Sequence, residues 1–150
     1  MNISQCVGRG GRMLFAAIVA ALSIPVTAAT IVVTSVSDTV AVDGSVTLRE
    51  AITSINNGAN VNADVVAAGA YGTNDTIQFN IPGPGVRTID VSVQSLPPVT
   101  VPVVIDGYSQ PLSSANTNGP AQGTNAVPLI ELNLSAGSLG IGAATARCGD

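Results

Sequence analysis

Three short segments of this chain share one pattern, and that repeat constrains the fold more than any other feature. They are Thr76-Ile77-Gln78-Phe79-Asn80, Pro102-Val103-Val104-Ile105-Asp106 and Pro128-Leu129-Ile130-Glu131-Leu132-Asn133. Aligned on the closing Asn or Asp, the apolar positions Ile77/Val103/Ile130 and Phe79/Ile105/Leu132 coincide at intervals of 26 and then 27 residues. Each segment reads as a short strand with two inward side chains two apart, ended by an Asx residue suited to a turn. One short strand per repeat, with Gly/Pro/Asn-rich connections, is what a β-solenoid produces. Each coil advances by one strand spacing of about 4.8 Å, so equivalent apolar side chains stack into a column. Arg87-Thr88-Ile89-Asp90-Val91 and Val99-Thr100-Val101 would supply further faces of a coil. The competing architecture is an antiparallel β-sandwich, which also has closely spaced strands but predicts no coil-length repeat.

The rest of the body fits strand-and-turn punctuation. Thr30-Ile31-Val32-Val33-Thr34 reads as a strand, and Val40-Ala41-Val42 before Asp43-Gly44 as a second, shorter one. One helix stands out. Leu48, Ala51, Ile52 and Ile55 fall on one helical face, and Thr47-Leu48-Arg49-Glu50 has the form of a capping box. Thr47 would accept from the Glu50 N–H, the Glu50 carboxylate would reach back to the Thr47 N–H, and Asn57-Gly58 supplies a stop. So short a helix does not persist alone, so its apolar face must lie on the rest of the chain. Capping accounts for Glu50, and Arg49 is expected on a solvated face. Residues 57–74 read as a loop, with Asp64 and Val65-Val66 as a brief ordered patch.

Composition narrows the chemistry. The chain has no His, Lys or Trp; five Arg face nine Asp and Glu, and 9% of residues are charged against about 25% in an ordinary soluble domain. Without His there is no His-based triad, acid/base pair or metal ligand. An acidic, lysine-free chain also lacks the clustered cations that neutralise phosphates, which argues against nucleic acid.

The amino terminus reads as an export signal. Arg9 and Arg12 precede the apolar run Met13–Ile24, which ends at Pro25 and the small residues Val26-Thr27-Ala28-Ala29. Twelve helical residues rise about 18 Å, well short of a hydrocarbon core of about 30 Å. A leader over 1–28, cleaved after Ala28, is therefore expected rather than a membrane anchor, and no later segment is apolar enough to span. After cleavage three Arg face the same nine acids, a formal net charge of −6. Cys6 leaves with the leader, so Cys148 has no intrachain disulfide partner.

Val46-Thr47-Leu48-Arg49-Glu50-Ala51-Ile52 resembles the CSLREA-type motif near the mature amino terminus of many secreted bacterial proteins with right-handed parallel β-helix domains. Asp75-Thr76-Ile77-Gln78-Phe79-Asn80-Ile81-Pro82-Gly83 is similar to the D-T-I-x-F-x-I-P-G stretch of that group, and Ile105-Asp106-Gly107-Tyr108-Ser109-Gln110-Pro111 to its I-D-G-Y-S/T-Q-P turn. Asn116-Thr117-Asn118, Gly123-Thr124-Asn125-Ala126 and Leu129-Ile130-Glu131-Leu132 continue the likeness, which covers about residues 30–142. Val46-Thr47 stands where Cys-Ser is usual, which removes the motif's thiol and leaves it a packing and capping role. The resemblance implies an all-β fold: the start of a right-handed parallel β-helix behind a short capping α-helix. The expected organisation is leader (1–28), strand, capping helix and loop (29–74), first coils (75–142) and an irregular end (143–150). That end stops where similar proteins continue into further coils, so the chain reads as a fragment or a frame-shortened product. An uncapped solenoid end would favour self-association.

Candidate chemistry is sparse. Asp106 would stack between Asn80 and Asn133, one carboxylate between amides, which is a structural ladder rather than a glycosidase pair. Asp90 could point outward but has no visible partner. Asp64 and Asp75 border the polar loop, yet no D-x-D-x-D-G series is present, so turn formation accounts for them better than Ca²⁺. Tyr108 could stack on a sugar, but a packed turn residue is the commoner case. No catalytic residue, cofactor or metal site is assigned. The expectation is a secreted or cell-surface segment, non-catalytic and adhesin-like or structural, with an extracellular glycan or cell-surface ligand as its partner. The alternative is the first part of a polysaccharide lyase or hydrolase whose active site lies outside this chain.

Overall fold

The computed structural model describes residues 27–134 and the backbone of residues 145–146. The elements run β1 (Thr30–Val33), α1 (Leu48–Asn57), β2 (Asp75–Phe79), β3 (Arg87–Asp90), β4 (Val103–Asp106), a 3₁₀ turn (Gly107–Ser109), β5 (Ile130–Asn133) and β6 (Thr145–Ala146). Two all-parallel sheets result, one ordered β1-β2-β4-β6 and one pairing β3 with β5.

Local chemistry builds the helix as its sequence dictates. Thr47 is extended at φ −92° and ψ 161°, its side chain accepts from Glu50 N, and the Glu50 carboxylate returns to the Thr47 N–H at 2.9 Å. Gly58 ends the helix in the left-handed region at φ 62°, where its N–H reaches the carbonyls of Ile55 and Ser54. Leu48, Ala51, Ile52 and Ile55 are all buried and join the core formed by Ile31, Val33, Ile77, Phe79 and Ile89. Burial of each large aliphatic side chain stabilises the fold by about 1.5–3 kcal/mol relative to leaving it in water. The helix thus lies within the connection between β1 and β2, the long crossover that adjacent parallel strands require.

The expected fold class is overturned. The chain is not an all-β, right-handed parallel β-helix but a mixed α/β arrangement of short parallel strands in small sheets with one helix in the core. The expected coil repeat of 26 and 27 residues is not what pairs the strands. Here Thr30 pairs with Thr76, Asp75 with Val103 and Arg87 with Ile130, so paired positions lie 46, 28 and 43 residues apart. The antiparallel sandwich fails as well, since every named strand pair is parallel.

The proposed stacks dissolve for a specific reason. Ile77 lies opposite Ile105 rather than Val103, and Gln78 rather than Asn80 lies opposite Asp106. A slip of two residues keeps every side chain on its own face, so alternation alone does not distinguish the two registers. Ile130 and Asn133 belong to the other sheet, opposite Arg87 and Asp90. The expected uncapped end, residues 143–150, lies outside the described residues except for the backbone of 145–146.

The strand segments themselves lie close to where the alternation puts them, with two exceptions. Val40–Val42 and Val99–Val101 are irregular. The leader over 1–28 lies outside the described residues except for Thr27 and Ala28, as do Cys6 and Cys148. Of the expected irregular end, Thr145 and Ala146 pair with Val104 and Ile105. No helix among the described residues is long and apolar enough to cross a membrane.

Candidate functional site

The polar residues singled out by the sequence separate into different places. Asp106 caps the 3₁₀ turn by accepting from Tyr108 N at 3.0 Å. Asp90 is exposed on β3, and hydrogen bonds from the Ser92 hydroxyl and its N–H hold its carboxyl below the usual carboxylate value. Asp64 receives Asp43 N at 2.6 Å and Gly44 N at 2.7 Å and so pins that turn. Asp75 is fully buried and receives Ala29 N at 2.9 Å and Gly72 N at 3.2 Å. Tyr108 is half-buried within the turn. Among the described residues no group of three or more Cys, Asp or Glu is placed to hold a metal ion.

The densest polar cluster surrounds the first turn of α1, and it corrects the expectation for Arg49. Arg49 is buried, not solvated. Its Nε and Nη2 grip the two carboxylate oxygens of Asp38 at 3.0 and 2.6 Å, while Nη1 and Nη2 reach the carbonyls of Ser95 and Gln94 at 2.9 and 2.8 Å. Glu50, also buried, goes beyond its capping role. Oε1 receives Ala41 N at 2.9 Å and Asn62 Nδ2 at 2.6 Å. One helical turn thereby fastens residues 38–41, the 94–95 segment and the 62–65 turn. A planar guanidinium suits this task because it offers a bidentate fork to carboxylate and further N–H groups to carbonyls.

A second set of side chains works along the end of β2. Ser109 Oγ receives the Phe79 N–H at 2.8 Å, and the Gln110 amide both receives Ile81 N and donates to Ile81 O at 2.9 Å. These side chains take the place of a neighbouring strand where β4 has ended, so the backbone of 79–81 stays satisfied. Arg87 adds Nε to the Ile81 carbonyl at 3.1 Å and Nη1 to the Gly85 carbonyl at 2.6 Å. Beside it opens a cleft of about 610 Å³ lined by Thr34, Ser35, Ser45, Pro84, Val86 and Arg87 among others. Among the described residues no carboxylate lines this cleft.

The sequence missed Arg49, Asp38, Arg87 and Gln110 as members of polar networks. One signal for the arginines was present: with so few cations in the chain, a lone Arg beside an apolar helix face is a candidate for a buried fastening. Tyr71 donates its hydroxyl to Asn60 Oδ1 at 2.6 Å. Partial burial raises its hydroxyl above the ordinary value of 10.0, Ser54 opposes this, and the Asp75 charge adds to it. Comparison with known protein families, with curated proteins and with solved structures finds no match to this chain.

Proposed function

We propose that this chain is an exported, non-catalytic segment, structural or adhesin-like, secreted or displayed at the cell surface, with an extracellular glycan or a cell-surface ligand as its partner. The observation that carries the proposal is the commitment of the buried polar side chains. Arg49, Glu50, Asp75, Arg87 and Gln110 each bond the backbone or side chains of the fold itself. A catalytic acid, base or nucleophile must instead present a polar atom to a reacting group. Export is supported by Arg9 and Arg12, the apolar run Met13–Ile24 and the small residues before Ala29. The likeness of Val46–Ile52 and Asp75–Gly83 to segments of secreted bacterial proteins points the same way.

Two experiments test this. Full-length chain expressed in a bacterial host and fractionated should be recovered outside the cytoplasm, and retention there at full length contradicts export. Incubated with polyuronides, with and without Ca²⁺, the protein should release no unsaturated product above a blank. Enzyme-dependent product contradicts the non-catalytic assignment.

A further inference from the structure

Asp75 is a carboxylate with 0% exposure, and removing a charged carboxylate from water is costly unless a cation or several donors replace the lost hydration. No arginine among the described residues makes an ion pair with it; Arg49 pairs with Asp38 instead. Among the described residues its donors are two backbone N–H groups, Gly72 N at 3.2 Å and Ala29 N at 2.9 Å. The second of these is the nitrogen of the peptide bond at which leader cleavage is expected.

We infer that cleavage of the Ala28–Ala29 bond places the new α-ammonium group of Ala29 on the Asp75 carboxylate, so that export processing itself supplies the counter-ion this buried acid lacks. The inference rests on the export reading. In the step, water adds across the peptide bond in the leader peptidase of the export pathway. Ala28 departs with the new carboxylate, and Ala29 keeps its nitrogen, which takes a proton from solvent as –NH₃⁺. A neutral amide donor becomes a charge-assisted one at the same position.

The surrounding structure holds that nitrogen in place without the leader. The Ala29 carbonyl receives Thr76 N at 2.8 Å, next in chain to Asp75, and Thr30 exchanges hydrogen bonds with Ala68 at 2.8 and 2.9 Å. Donor and acceptor, 46 residues apart in sequence, are therefore joined by the β1–β2 register rather than by the departing segment. What leaves touches a different segment, the 68–70 loop. Thr27 is exposed and Ala28 half-buried, and they hold the 68–70 loop through Ala70 N to the Thr27 carbonyl at 3.0 Å and an Ala28–Ala70 bridge. Ala29 itself is buried in the folded chain, so hydrolysis precedes folding and the ion pair forms as the exported chain folds.

The chain contains no lysine, so the α-amine is its sole primary amine and amine-reactive reagents report on it alone. The test uses the exported protein and a form with Gly-Ser inserted between Ala28 and Ala29, which moves the ammonium away from Asp75. Intact mass gives the first residue, the rate of acylation gives the accessibility of the amine, and Asp75→Asn is made in both forms. The expected result is a chain beginning at Ala29 whose amine, when folded, is acylated at least about tenfold more slowly than that of the insertion form, as a paired ammonium should be. Asp75→Asn should shift the unfolding equilibrium of the exported chain at least about tenfold more than that of the insertion form. Should Asp75→Asn fail to fold, the acylation rates decide. Equal acylation rates, or an equal cost of Asp75→Asn in both forms, overturn the ion pair while leaving cleavage at Ala28 intact. A mature chain that begins at another residue overturns both.

Discussion

The β1–α1–β2 region and the stretch that runs from β4 through β5 are built from similar strand segments but are held together differently. In β1 and β2 the inward side chains Ile31, Val33, Ile77 and Phe79 are at most 2% exposed, and α1 covers them with an apolar face. In β5 both Ile130 and Leu132 are only half-buried. Between β4 and β5 the chain is ordered by short-range polar bonds, such as Asn125 Oδ1 receiving Thr117 N at 2.8 Å and Asn116 Oδ1 receiving Asn125 N at 3.1 Å. The first region combines packing with long-range polar fastenings; the second relies on local Asx chemistry and on the edge of the parallel sheet. Parallel strands buried on a helix tolerate little change, whereas a half-exposed ladder tolerates much.

Substitutions can break that contrast. Ile77→Ala removes a fully buried side chain between Ile31 and Ile105 and should cost about 2–5 kcal/mol in denaturant unfolding. Leu132→Ala should cost less than about half as much, because its site is already partly solvated. Equal losses would erase the distinction between the regions. Arg49→Leu leaves the Asp38 carboxylate without its cation and the carbonyls of Asp38, Gln94 and Ser95 without this donor, and should cost about 2–3 kcal/mol. Arg49→Lys should recover little of this, since an ammonium cannot reproduce the bidentate fork.

Gln110→Ala leaves the Ile81 N–H without its acceptor and the Ile81 carbonyl with Arg87 Nε alone and should cost about 1–3 kcal/mol, with faster hydrogen exchange at the Ile81 amide. The smallest effect concerns charge. Asp90 is held below the usual carboxylate value by Ser92, so this contact favours the folded state above the unfolded pKa and the benefit is lost as pH falls through the folded one. Ser92→Ala removes the hydroxyl but keeps the Ser92 N–H, so it should raise the Asp90 pKa part of the way toward its ordinary value in an NMR titration, and an unchanged pKa would show that the hydroxyl is not a cause.

What was legible in the sequence was local. Thr47 and Glu50 lie three apart and act on each other's backbone, so the capping box could be read directly, and the helical face of Leu48, Ala51, Ile52 and Ile55 followed from its spacing. The strand segments were visible in their alternation. Register was not, because Ile77 opposite Val103 and Ile77 opposite Ile105 keep the same faces inward, and the choice depends on side chains from distant segments. Val40–Val42 has strand composition, yet Ala41 N goes to the Glu50 carboxylate instead of a ladder. The burial of Arg49 was hidden because its acid, Asp38, lies in an irregular loop, and two of its carbonyl partners lie 45 and 46 residues away. Of the functional candidates, Asp75 was noticed as a polar loop-border residue, but its contact with Ala29 crosses from β2 to the residue before β1 and has no sequence signature.

The central claim is that polar side chains here serve as structural partners of the backbone. Residue-resolved amide hydrogen exchange tests it most directly. The amides of Thr47, Phe79 and Ile81, which are bonded to Glu50, Ser109 and Gln110, should exchange as slowly as those of the β1–β2 ladder, and those of residues 116–126 much faster. Unprotected exchange at Phe79 and Ile81 beside a protected β1–β2 ladder would contradict the claim.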